Sequence, residues 1–268
     1  MSAAEPRPRL AVVTFPGSND DRDAAHALGL LGAEAIPVWH ADPELPEVGA
    51  VVLPGGFSYG DYLRPGALAR FAPIMAAVRS FAAAGGLVLG ICNGFQILCE
   101  AGLLPGVLRP NRSLRFVCRD AALTVERSDT AFTSRCTPGQ RLTIPVKHAE
   151  GCFFANDELL AALERHGRVL LRYSGESPNG SVADIAGVLN REGNVLGLMP
   201  HPEHAVDPLG GSADGALILG SLVDAVRERA PVRAGALRRA PTGIGAARRA
   251  GDARPAPREG ARGPATGA

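Results

Sequence analysis

The stretch LVLGICNGFQIL, residues 87–98, constrains this chain more than any other. An apolar run halts at Gly90, a thiol follows at Cys92, and Gly94 opens a segment whose apolar residues recur at helical spacing. That order predicts a strand, a sharp turn and a helix, the layout of a nucleophile elbow, in which the reactive side chain is pushed out above a sheet. Glycines on both sides of the thiol let the backbone pack closely around a strained turn and let a substrate approach the sulfur. The positive end of the following helix would favour a thiolate over a thiol at Cys92. The competing reading is a small buried hydrophobe, the common fate of a lone cysteine. Cys99 lies on the same helix without such glycines and reads as core, and Cys118, Cys136 and Cys152 read as packing residues.

Around this elbow the chain alternates between strand and helix signals, which predicts an α/β domain with a mostly parallel sheet. RLAVVTF (9–15) reads as a first buried strand ending at Pro16-Gly17, and Asp20 and Asp21 can cap a helix that closes at Gly32. AIPV (35–38) and AVVLPGG (50–56) supply two more strands. PGALARFAPIMAAVRSFAAAGG (65–86) predicts one helix beginning near Pro65 and ending at Gly85-Gly86. Between Arg115 and Lys147 the apolar period shifts towards two, predicting a small antiparallel region. NDELLAALERHG (156–167) is a helix capped by Asn156 or Asp157, and RVLLRY, DIAGVLN and NVLGLMP follow as strands before a last helix over 214–228.

A length of 268 residues and 46% hydrophobic content suffice for a large core. Net charge is +1, but residues 229–268 hold nine arginines against Asp252 and Glu259, so the tail is basic and the body mildly acidic. The tail is nearly all Ala, Arg, Gly and Pro, which predicts disorder from about residue 230. It reads as a solvated extension, with contact to nucleic acid as the weaker alternative. The expected domains are therefore 9–228 and a basic tail, 229–268. Lys147 is the only lysine; the other 27 basic residues are arginine. Five cysteines without a CxxC pair argue against a disulfide framework or a metal cluster and favour the cytoplasm. No apolar run is long enough for a membrane span, and no phosphate loop or dinucleotide fingerprint is present.

A thiol nucleophile needs a base and a group to orient it. GLMPHPEHA, just after an apolar strand, offers His201 and Glu203; in an extended segment side chains at i and i+2 share a side, so the carboxylate reaches the imidazole. A metal pair of His201 with His204 is the rival reading, weakened by the intervening proline and the lack of a third ligand nearby. His26, His40, His148 and His166 have no comparable partners and read as surface or structural. An oxyanion would need main-chain donors: one at Asn93, after the nucleophile, and another from Gly55-Gly56, which follow a strand directly. An ordinary turn remains the alternative for those two glycines.

GICNGFQ and PHPEH, in this order, resemble the class I glutamine amidotransferase family. VTFPGSND, PGGFSYGDYLRPGA, GICNGFQILCEAGLLPG, NRSLRF and GLMPHPEHA resemble its purine-biosynthetic branch, over roughly residues 9–228. The resemblance implies a flavodoxin-like α/β fold with helices on both faces, and a triad of Cys92 as nucleophile, His201 as base and acid, and Glu203 as its orienting partner. It further implies that Gln96 holds substrate, that Gly56, Phe57 and Asn93 form the oxyanion region, and that L-glutamine is hydrolysed to glutamate. The ammonia would go to a large synthetase subunit, assisted by a small accessory subunit, that converts formylglycinamide ribonucleotide to formylglycinamidine ribonucleotide. ATP and magnesium would belong to that partner, leaving this chain without a cofactor or metal.

Overall fold

A computed structural model describes residues 6–229. The expected basic tail beyond 229 lies outside the described residues. Arg9–Thr14 forms β1, and the chain then builds α1 (Asp21–Leu30), β2 (Glu34–Trp39), β3 (Ala50–Leu53), α2 (Ile74–Ala83), β4 (Leu87–Ile91) and α3 (Asn93–Glu100). These are followed by β5 (Val107–Arg109), β6 (Val117–Val125), β7 (Arg141–His148), β8 (Cys152–Phe154) and α4 (Asp157–Arg165). β9 (Val169–Tyr173), β10 (Ile185–Leu189), β11 (Val195–Leu198) and α5 (Gly215–Glu228) complete the described chain.

Among the described residues, nine strands form one sheet in the order β2-β1-β3-β4-β11-β10-β9-β6-β7. The first five are parallel neighbours, in the doubly wound order of a flavodoxin-like domain. β3, β4 and β11 are buried at every position, as expected where helices cover both faces of parallel strands. The expected antiparallel region exists, but it extends the same sheet: β10, β9, β6 and β7 each pair antiparallel with the strand before them in that order. β5 and β8 make a separate two-stranded ribbon.

The register explains where function can be built. Leu198 at the end of β11 is level with Ile91 at the end of β4, and Leu53 at the end of β3 is level with Gly90. Four adjacent parallel strands therefore release their chains together: β1 towards Asp20, β3 towards Gly55-Gly56, β4 into Cys92 and β11 towards His201. Ligands of open α/β sheets bind at such carboxyl ends.

The expected helix over 65–86 is shorter. Residues 65–73 run through turns and a single 3-10 turn at Ala69–Phe71, and α2 starts only at Ile74. Pro73 is the reason: the residue before a proline is pushed out of helical space, and Ala72 is extended at φ −58°, ψ 142°. α4 matches its expected cap, with the Asn156 side chain accepting from the Leu159 N–H. At α1, by contrast, Asp20 occupies the cap position but its side chain makes no capping bond. Its carboxylate is used elsewhere.

Candidate active site

Cys92 joins β4 to α3 at φ 50°, ψ −103°, a conformation that L residues rarely adopt. Its N–H is fixed by the Leu198 carbonyl at 2.8 Å, which ties the elbow to β11. The flanking glycines are there for packing. A Cβ on Gly94 would lie 1.9 Å from the Leu53 carbonyl oxygen, and one on Gly90 would lie 2.5 Å from a Leu98 methyl and 2.7 Å from Gly94 backbone. Helix α3 can thus press against β3 and β4 only without those side chains. The Cys92 Sγ sits 3.8 Å from the Lys147 carbonyl oxygen.

His201 and Glu203 are in contact, Nδ1 to Oε1 at 2.6 Å, and both are buried. The contact is as expected, but its origin differs: Pro202–His204 is a 3-10 turn, not an extended segment, and the turn folds the carboxylate back under the ring. The His201 N–H donates to the Pro145 carbonyl at 2.8 Å, anchoring the turn on β7. Among the described residues, Nε2 of His201 is buried without a hydrogen-bond partner. Burial alone would lower the proton affinity of this ring, but the Glu203 carboxylate and the charge of Cys92 outweigh it and push its pKa up to about 10. The surroundings thus favour the cationic ring.

Cys92, His201, Gln96, Gly56 and Phe57 line one cleft of about 310 Å3; Gly55, Asn93 and Glu203 are not among its lining residues. Gly56 has φ +142°, and a Cβ there would meet the Asn19 nitrogen at 2.7 Å. The Phe57 N–H is already spent on the Gly17 carbonyl at 3.0 Å, whereas the N–H of Gly56 has no acceptor among the described residues. Asn93 heads α3, where main-chain N–H groups lack intrahelical acceptors. Its side chain accepts from the Ser58 N–H at 3.1 Å and donates to Gln96 Oε1 at 2.9 Å. Gln96 in turn donates to the Glu150 carbonyl at 2.5 Å, so its amide shapes the cleft wall.

Several groups here escaped the sequence reading. Asp20 is buried and accepts from Lys147 Nζ and from His204 Nε2 at 3.2 Å, and its Oδ2 lies 3.7 Å from His201 Nδ1. Burial opposes its charge, yet the His204 hydrogen bond, the His201 charge and Lys147 together hold its carboxyl well below the usual range. His148, expected to be surface or structural, is buried on the cleft wall, hydrogen-bonded through Nδ1 to Asn111 Oδ1 at 3.1 Å. Burial, then the neighbouring His201 charge, push its pKa down to about 4. Asp61, also on the cleft, is pushed up to about 6 by burial and by Glu150. One signal was available: the single lysine in the chain points to the place where a carboxylate needs an ammonium. Choosing Asp20 over Asp21 needed the fold.

Ligand atoms of Asp20, His201, Glu203 and His204 lie within 4.8 Å of one another, close enough to suit a divalent ion. Their charges are already balanced, with Lys147 on Asp20 and His201 on Glu203. A cation would have to displace both contacts.

Comparison with known proteins agrees with this geometry on the class. A family model described as a CobB/CobQ-like glutamine amidotransferase domain matches residues 7–213. The class is that of the glutamine amidotransferases. Phosphoribosylformylglycinamidine synthase subunit PurQ of Rubrobacter xylanophilus is 60% identical over 215 residues, covering 80% of this chain and 97% of the relative. The subunit of the same name from Nocardia farcinica is 56% identical over 222 residues, covering 81% and 99%. Among solved structures, a chain of PurLQS from Thermotoga maritima superposes with a TM-score of 0.76 at 46% identity, covering 82% of this chain and 99% of that one. The chain belongs to the glutamine amidotransferase family, in the branch of the PurQ subunits.

Proposed function

We propose that this chain is the glutaminase subunit of phosphoribosylformylglycinamidine synthase, with Cys92 as nucleophile, His201 as acid and base, and Glu203 holding the imidazole. The observation that carries the reading is the strained Cys92 elbow opening into the same cleft as the buried His201–Glu203 pair. The Cys92 sulfur attacks the side-chain carboxamide carbon of L-glutamine, and the carbonyl oxygen becomes an oxyanion facing the N–H groups of Gly56 and Asn93. As the C–N bond breaks, His201 gives its proton to the departing nitrogen and ammonia leaves. Neutral His201 then takes a proton from water, whose oxygen attacks the glutamyl thioester. Glutamate departs, and the sulfur and imidazolium are restored.

Glu203 fixes the ring through Nδ1, which leaves Nε2 to face the chemistry. Each main-chain oxyanion donor is worth about 3 kcal/mol of transition-state stabilisation in enzymes of this kind. Ammonia protonated in bulk water is no longer a nucleophile, so it is delivered within a complex to a large synthetase subunit, with a small accessory subunit in the assembly. That synthetase holds ATP, magnesium and formylglycinamide ribonucleotide; this chain contributes no cofactor. The sequence supports this division of labour, since it lacks a phosphate-binding loop.

The test is ammonia release from glutamine, measured with and without the synthetase subunits. Cys92→Ala is expected to lose glutamine-dependent synthesis by roughly a thousandfold or more, while synthesis from added ammonium salt continues. Glutamine-dependent turnover that survives the substitution contradicts the assignment.

A further inference from the structure

Asp20 is buried beside the proposed acid–base group, its Oδ2 3.7 Å from His201 Nδ1. It lies one residue ahead of α1, is 2% exposed, and leaves the helix end uncapped. Three cationic or titratable groups converge on it instead. Lys147 Nζ from β7 and His204 Nε2 from the 3-10 turn meet Oδ1, and His201 Nδ1 lies 3.7 Å from Oδ2. Nδ1 of His201 therefore has two carboxylates, Glu203 at 2.6 Å and Asp20 beyond it. The space has been kept clear for this pair: a Cβ on Gly55 would lie 2.3 Å from Asp20 Oδ2 and 2.7 Å from His201 Cε1. A side chain at position 55 would therefore collide with both Asp20 and the imidazole.

We infer that Asp20 is a positioning residue for His201: a second buried carboxylate, held by Lys147 and His204, that fixes the imidazole from the side and keeps it cationic. The inference rests on the reading of Cys92, His201 and Glu203 given above. Burying one charge without a partner is expensive, which accounts for the Lys147 ammonium on Asp20; as a network, the group is neutral enough to persist out of water. The charged and titratable groups that face His201 are Glu203 and His204 on its own turn, Cys92 at the β4–α3 elbow, Asp20 ahead of α1, and His148 at the end of β7. Of these, Glu203 and Asp20 are the carboxylates, at 2.6 and 3.7 Å from Nδ1, so removing the Asp20 charge takes away the more distant of the two.

Asp20→Asn keeps the shape and removes the charge. In the complex with the synthetase subunits, glutamine-dependent kcat is expected to fall roughly tenfold to a hundredfold, the scale set by misplacing a reacting group, with KM changed less. The His201 resonance, followed by NMR on histidine-labelled chain across pH, should titrate about one pH unit lower than in the wild type. Activity on added ammonium salt should be retained. Because the single change strands Lys147, the double variant Asp20→Asn/Lys147→Gln removes both charges and is expected to lower the His201 titration in the same direction. A merely structural Asp20 would alter stability but leave the titration where it was; an unmoved titration with wild-type kcat overturns the inference. Cys92→Ala run in parallel separates the two levels. If it retains glutamine turnover, the reading of the site falls; if it is inactive while Asp20→Asn behaves as wild type, only the role of Asp20 falls.

Discussion

At His201 the balance of forces can be followed through pH. Burial favours the neutral ring, yet the adjacent anions win and the pKa rises to about 10. Since the folded value exceeds the unfolded value of about 6.5, the imidazolium contributes stability that is fully present below 6.5 and is lost as pH rises through about 10. His201→Asn is expected to abolish glutamine hydrolysis by roughly a thousandfold, and in denaturation experiments its stability should no longer show that alkaline loss. His148 carries the opposite sign. Its pKa is pushed down to about 4, so the folded chain resists a proton that the unfolded chain accepts, and stability drops as pH falls from 6.5 towards 4. Asp61, raised to about 6, opposes this within the same window because its neutral form is favoured in the fold. Comparing His148→Gln with the wild type isolates the first effect: the variant should be relieved of roughly 2 kcal/mol of acid destabilisation at pH 5, read from urea unfolding at pH 7.5 and 5. Equal pH slopes for the two proteins would show that His148 is not held neutral.

Among the elements, the β4–α3 elbow was legible because its signal is local: an apolar run, two glycines and a cysteine in a fixed order. The strand ends that surround it were legible for the same reason, from Pro-Gly and Gly-Gly breaks after short apolar runs. Residues 65–73 were not. Alanines and leucines there carry helical spacing, but Pro73 forces Ala72 into extended space and the segment folds into turns. The two-residue spacing predicts the His201–Glu203 pairing for an extended segment, whereas a 3-10 turn makes it; that spacing suits both. Asp20, Lys147 and His148 were missed as site residues because their partners lie on other elements, up to 184 positions away along the chain for Asp20 and His204. The elbow also gives a test of packing. Gly94→Ala places a methyl 1.9 Å from the Leu53 carbonyl oxygen, and overpacking of this sort costs about 1–3 kcal/mol. Thermal unfolding should show that loss, together with reduced glutamine turnover as Cys92 shifts. A fully stable and active Gly94→Ala chain would mean that α3 does not press against β3 this closely.

For the molecule as a whole, the sheet works as an aligning device. Parallel strands β1, β3, β4 and β11 end side by side, so residues distant in sequence meet without long loops, and β7 brings Lys147 and His148 to the same place through the antiparallel extension. The proposed nucleophile and its proposed acid–base partner are thus positioned by strands buried at every residue, which limits how far either can drift. The proposed function requires that glutamine be opened covalently at Cys92. Mass spectrometry of rapidly quenched complex, mixed with glutamine and digested, should show a glutamyl adduct on the peptide carrying Cys92, absent in Cys92→Ala. Turnover of glutamine without that adduct, or with the adduct on another cysteine, would contradict it.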